Sequence, residues 1–110
     1  MIYVTGPLFA GKQSYIQQAL HLSDGEFAVR AVRDVQDLLP CEDLAALTDR
    51  LAEHEIVIQT EIGGGVVPID PAEREKREAA GRLACLLAAR ADTVIRVCCG
   101  LPQLLKGEWP

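Results

Sequence analysis

Aromatic residues are scarce: two Tyr, two Phe and one Trp, 5% of 110 residues. An extended platform for stacking bases is therefore excluded. Basic residues are also few, eleven Lys and Arg against sixteen Asp and Glu, for a formal net charge of −5. A broad nucleic-acid surface needs clustered Lys and Arg, so nucleic acid is excluded as a general partner. One small basic pocket for a phosphate is still compatible with that balance. No run of 18 apolar residues occurs, so no membrane-spanning helix is expected. The N-terminus has no charged segment leading into an apolar one, so no secretory signal is expected. The four cysteines, Cys41, Cys85, Cys98 and Cys99, contain no Cys-x-x-Cys pair and have no His at zinc-ligand spacing. They read as small buried apolar residues in a reducing cytoplasm, which is the expected location.

What is present is ordinary globular material: 49% hydrophobic and 25% charged residues. The length suits one domain with one core and leaves little room for a second. No internal repeat or low-complexity tract interrupts it. Residues 1–5 (MIYVT) predict a buried strand, 13–22 a helix, and 27–32 (FAVRAV) a second strand, with Ser23-Asp24-Gly25 ending the helix between them. Residues 34–40 predict a short helical turn stopped by Pro40, and 42–53 a helix. Residues 56–60 (IVIQT) predict a third strand, followed by the Gly-rich loop EIGGGVVPID over 61–70. Asp70 and Pro71 then stand as N-cap and first residue of a helix running to about Arg90. Residues 93–98 (TVIRVC) predict a fourth strand, and the tail GLPQLLKGEWP a short helical turn. Alternating strands and helices predict an α/β fold, a parallel sheet of about four strands with helices on its faces. Ligands of such sheets bind beyond the carboxyl ends of the strands. The loops expected there are residues 6–12, 33–36, 61–68 and 100–106.

The first of these loops reads Gly6-Pro7-Leu8-Phe9-Ala10-Gly11-Lys12-Gln13-Ser14. It fits the phosphate-binding pattern G-x-x-x-x-G-K up to its last position. Glycines let backbone N–H groups approach phosphate oxygens, the following helix points its positive end at them, and a Lys neutralises them. The match covers few positions, and its weight comes from lying between a predicted strand and a predicted helix. Gln13 stands where Ser or Thr usually ligates Mg²⁺, Ser14 is one residue late, and Pro7 removes one N–H. The fold class this predicts is P-loop NTPase-like (RecA-like), with residues 1–110 as a single nucleotide-binding domain.

A longer pattern lies in the second half. Glu61, Gly63, Gly65, Val67 and Pro68 are followed by Arg74, Arg77, Glu78, Gly81 and Arg82, and then by Gly100, Leu101, Pro102, Leu105 and Lys106. In this order and spacing the segment resembles the bifunctional adenosylcobinamide kinase/adenosylcobinamide-phosphate guanylyltransferase family of cobalamin biosynthesis. Read independently as a helix at about 100° per residue, Arg74, Arg77, Glu78, Gly81 and Arg82 share one arc. Ala79, Leu83, Leu86 and Leu87 fall opposite, toward the expected core. The polar arc is either a solvated face or a set of anion contacts. The family's His-containing helix after the second strand and its Walker B Asp have no counterpart here. His21 and His54 read as surface or helix-end residues. Asp34, after the second strand, is the alternative metal-facing carboxylate.

The resemblance implies a kinase that moves a phosphoryl group from ATP or GTP, with Mg²⁺, to a cobinamide hydroxyl, without the His-dependent guanylyl step. Lys12 and Glu61 are the expected catalytic residues, and Glu61 is also the expected metal contact. Gly6 to Ser14 would hold the nucleotide, and Arg74, Arg77 and Lys106 would contact anion or substrate. The alternative is a non-catalytic nucleotide- or corrinoid-binding regulatory module. Adenosylcobinamide and further copies of the chain, as a homo-oligomer, complete the expected partners.

Overall fold

The computed structural model describes residues 1–62 and 70–110. Among the described residues, five strands form one sheet. They are β1 (Ile2–Gly6), β2 (Ala31–Val32), β3 (Ile56–Thr60), β4 (Thr93–Cys98) and β5 (Leu101–Lys106). Four α-helices lie between them among the described residues: α1 (Lys12–Leu20), α2 (Asp24–Arg30), α3 (Leu44–Leu51) and α4 (Pro71–Arg90). A 3-10 turn covers Val35–Leu38. No helix among the described residues is long and apolar enough to cross a membrane.

The sheet order is β2-β3-β1-β4-β5. The pairs β2–β3, β1–β3 and β1–β4 are parallel, whereas β4–β5 is antiparallel. The central strands are covered on both faces, as parallel strands require. Alternate side chains divide between two apolar layers. Tyr3, Val57 and Val94 face α3 and α4, where they meet Leu47, Leu51, Leu83 and Leu87. Val4, Ile56, Ile58, Ile95 and Val97 face α1 and α2, against Ile16, Leu22 and Phe27. A buried polar chain also crosses the first layer. The Tyr3 hydroxyl donates to Gln59 Oε1 at 2.9 Å, and Gln59 Nε2 donates to the Ala80 carbonyl at 3.0 Å. Burial pushes the Tyr3 hydroxyl up to about 12.

Several expectations are corrected. The sheet has five strands rather than about four, and one of them is antiparallel. Most of the stretch 27–32 is the end of α2, and only Ala31–Val32 is strand. Ser23 does not close the first helix; it caps the next one. Its hydroxyl accepts from the Glu26 N–H, and the Glu26 carboxylate accepts from the Ser23 N–H, a reciprocal capping box. The tail is a hairpin strand instead of a helical turn. Cys99 and Gly100 both have positive φ (55° and 73°), the requirement of a two-residue hairpin turn that reverses β4 into β5. Residues 101–106 are therefore sheet edge, not a loop beyond it. Leu86 is exposed although its neighbours Leu83 and Leu87 are buried, because it lies at the border of the apolar arc. None of the four cysteines is buried: Cys41 and Cys98 are half-buried, and Cys85 and Cys99 are exposed.

Candidate functional site

The loop after β1 is shaped by three left-handed or extended positive-φ residues: Gly6, Phe9 and Gly11, with φ of 154°, 58° and 87°. Gly6 passes so close to β4 that a Cβ would stand 2.1 Å from the Val97 carbonyl oxygen. Gly11 is the N-cap residue of α1, and its carbonyl accepts from the Tyr15 N–H at 2.9 Å. Leu8 and Phe9 project outward and are exposed, while Ala10 is buried. Residues Leu8 to Ser14, with Arg33, Asp34, Ile58 and Thr60, line a cavity of about 310 Å³ at the carboxyl end of the sheet.

Lys12, the first residue of α1, is buried at 8% exposure, and its Nζ donates to the Pro7 carbonyl at 2.7 Å. The ammonium thus sits inside the arc of its own loop. Burial lowers its pKa, and the negative charges of Asp34 and Glu61 oppose that shift. Glu61 follows β3. Its N–H donates to the Gly6 carbonyl at 2.8 Å, which fastens it to the start of the loop. Its two carboxylate oxygens accept from Arg96 Nε at 2.6 Å and Nη2 at 2.9 Å. That bidentate bond, then the charges of Arg96 and Lys12, hold the Glu61 carboxyl below its ordinary range.

Gln13 is engaged at both ends. Its Oε1 accepts from Arg33 Nη1 at 2.6 Å, and its Nε2 donates to Gln17 at 3.0 Å. Behind the site, the buried Gln36 accepts from the Thr60 N–H at 3.0 Å and steadies the end of β3. Arg33 and Arg96 are functional candidates that sequence reasoning missed. A signal for Arg96 was present, a lone Arg in the apolar strand TVIRVC. The partnership of Arg33 with Gln13 spans 20 positions and has no local signature.

Not all expected residues gather here. Lys106 Nζ donates to the carbonyls of Ala88 and Ala89, both at 3.1 Å, at the far end of the sheet. It closes the C-terminal turn of α4, where a cation meets unpaired carbonyls. Arg74 and Arg77 lie on the first turns of α4 and do not line the cavity. Gly63, Gly65, Val67 and Pro68 lie outside the described residues. His21 ends α1 and His54 is half-buried beside the Leu51 carbonyl; neither reaches the cavity.

The donor set for Mg²⁺ can be tested against these contacts. Gln13 Oε1 is taken by Arg33 and both Glu61 oxygens by Arg96. Among the described residues no group of three His, Cys, Asp or Glu side chains could cage an ion. Asp34 is the remaining carboxylate at the cavity. One lining carboxylate does not by itself cage a cation, so a Mg²⁺ ion here would need further oxygen ligands brought by a bound molecule.

Taken together, the chain is a mixed α/β protein with a mostly parallel sheet and a cavity at its carboxyl end, lined by the Leu8–Ser14 segment with its buried Lys12, and by Arg33 and Asp34. Residues 15–105 match the cobinamide kinase / cobinamide phosphate guanyltransferase family, and the chain belongs to that family. The match begins after Ser14, so the loop from Gly6 to Ser14 is an observation separate from it. No curated protein matches the chain.

Proposed function

We propose that this chain is a P-loop NTPase-like kinase that transfers the terminal phosphoryl group of ATP or GTP to a hydroxyl of cobinamide. One observation carries the reading: the Gly6–Lys12 loop joins β1 to α1 with the Lys12 ammonium turned into its own arc. The backbone N–H groups of the loop and the N-terminus of α1 receive the phosphates. Lys12 leaves the Pro7 carbonyl for the β- and γ-oxygens. Glu61, or Asp34 in its place, would hold a Mg²⁺ ion, which would supply further neutralisation of the developing charge. Glu61, kept ionised by Arg96, accepts a hydrogen bond from the attacking hydroxyl and orients it. Arg74 and Arg77, at the start of α4 and outside the cavity lining, would contact only a part of the acceptor that extends beyond that cavity.

The test is release of nucleoside diphosphate, with and without cobinamide, by the natural chain and by Lys12→Ala. Cobinamide-dependent release that falls at least about a hundredfold in the variant is expected. Equal rates in the two proteins would sink the reading. A second reading is a binding module without turnover. It is favoured by the occupation of Gln13 and Glu61 by two arginines, which leaves a sparse metal set. Tight nucleotide binding with no diphosphate released, in the presence of Mg²⁺ and cobinamide, would select it.

A further inference from the structure

Cys98 closes β4 and Cys99 opens the turn into β5, so two thiols stand on consecutive residues at the carboxyl end of the sheet. On an extended strand they would point to opposite faces. The left-handed φ of 55° at Cys99 brings them to one side, with the two sulfurs 4.0 Å apart. Cys99 is exposed and Cys98 half-buried, so a small reagent can reach the pair. Neither residue is used by the reaction proposed above.

The position of the pair matters more than its exposure. The Gly100 N–H, in the same turn, donates to the Ala10 carbonyl of the phosphate loop at 2.8 Å. A Cβ on Gly11 would lie 3.6 Å from the Gly100 Cα, so loop and turn are in direct contact. On the other side, Arg96, which clamps Glu61, stands two positions before Cys98 on β4, so the two share one face of the strand. The thiol pair is therefore one residue from the turn that holds the loop and on the strand that carries Arg96.

We propose that Cys98 and Cys99 form a redox-active vicinal dithiol, a modification site for low-molecular-weight disulfides, whose closure loosens the phosphate loop. The loosening of nucleotide binding rests on the functional reading above; the thiol chemistry does not. In the first step the Cys99 thiolate attacks one sulfur of the small disulfide, expelling one small thiol and leaving a mixed disulfide on Cys99. The Cys98 thiolate then attacks the Cys99 sulfur and expels the second small thiol. The protein loses two hydrogens and two electrons, and the small disulfide gains them. Consecutive Cα atoms are about 3.8 Å apart, closer than the usual separation of bridged cysteines. The product is therefore strained and is reopened by a dithiol reductant. Closing it draws the sulfurs from 4.0 Å to about 2 Å. That movement displaces the turn that carries the Gly100 N–H away from Ala10.

The experiment uses the full chain with Cys41→Ser and Cys85→Ser, so that only the vicinal pair reacts. Oxidised glutathione is the probe, dithiothreitol the reversal, and intact mass the first readout. A loss of two hydrogens, reversed by dithiothreitol and absent when Cys99→Ser is added, is expected. A glutathione adduct that persists, or two unreacted thiols, would overturn the site. The second readout is backbone amide exchange over residues 6–14, expected to be faster in the oxidised chain; unchanged exchange would overturn the coupling. The third is affinity for ATP and GTP, expected to fall about tenfold on oxidation, within the usual range of coupling between sites. A chain that binds neither nucleotide in either state overturns the functional reading instead, and mass and exchange still decide this one.

Discussion

A single methyl group at Gly6 tests how the sheet and the site are joined. Gly6 has φ of 154°, and its ideal Cβ would lie 2.1 Å from the Val97 carbonyl oxygen and 3.2 Å from the Val97 carbonyl carbon. A carbon normally stays about 3.3 Å or more from such an oxygen, so Gly6→Ala demands a displacement of about 1 Å. The obstacle is backbone of β4, paired with β1 up to Thr5 and Arg96, and cannot swing aside as a side-chain tip would. The conformation alone costs an L-residue about 1–3 kcal/mol, and forced overpacking adds about 1–3 kcal/mol. A loss of about 2–6 kcal/mol is expected, a large share of the about 5–15 kcal/mol typical of a domain. Gly81→Ala is the control. Gly81 is inside α4 with nothing within 4 Å of a built Cβ, so the same methyl should stabilise by about 0.5–1 kcal/mol. Urea unfolding followed by far-ultraviolet circular dichroism reads both. A Gly6→Ala chain within about 0.5 kcal/mol of the natural one, the range of an inconsequential surface change, would refute the packing argument. Because the Gly6 carbonyl also receives the Glu61 N–H, the surviving folded Gly6→Ala chain should bind nucleotide more weakly as well.

Three further outcomes follow from individual contacts. The Tyr3 hydroxyl titrates at about 12 in the folded chain and near 10.0 when unfolded. Its contribution is therefore fully present below pH 10 and is lost as pH rises through about 12. The stability difference between the natural chain and Tyr3→Phe should shift by about 2–3 kcal/mol over that window, read by urea titrations at several pH values; a parallel pair of curves would contradict it. Ser23→Ala removes the cap of α2 and should cost about 1 kcal/mol, seen as a lower urea midpoint. Arg96→Gln should raise the Glu61 carboxyl toward its ordinary 4.5. The stabilisation from the pair is present above pH 4.5 and is lost as pH falls through the depressed folded value. Carboxyl titration by nuclear magnetic resonance would show the Glu61 midpoint rising in the variant, and an unmoved midpoint would deny the clamp.

Much of the fold was legible in local patterns. The strands Ile56–Thr60 and Thr93–Cys98 and the helix Pro71–Arg90 stand where their composition and the Asp70-Pro71 start signal put them. The α2 error had a readable remedy, since Ser23 and Glu26 spell a capping box. The β5 error was harder. Pro102 resembles a helix start, and only the paired positive φ values of Cys99 and Gly100 show that the chain reverses there. Within the site, the loop and Glu61 were visible as residue types in short spacing. Their partners were not: Arg96 meets Glu61 across 35 positions, and Lys106 meets the end of α4 rather than a phosphate.

By itself the sequence determined the class of chain, α/β with a glycine-bounded loop after its first strand, because periodicity, caps and glycine spacing act over a few residues. It also determined the family, through an ordered pattern extending to Lys106. Only the tertiary structure decided which charges are engaged. It set Arg33 on Gln13, Arg96 on Glu61 and Lys106 on α4, and it brought the Cys99–Gly100 turn against the loop. Hydrogen bonds and charges act through space over a few ångströms, and the sheet order alone determines which distant residues come that close.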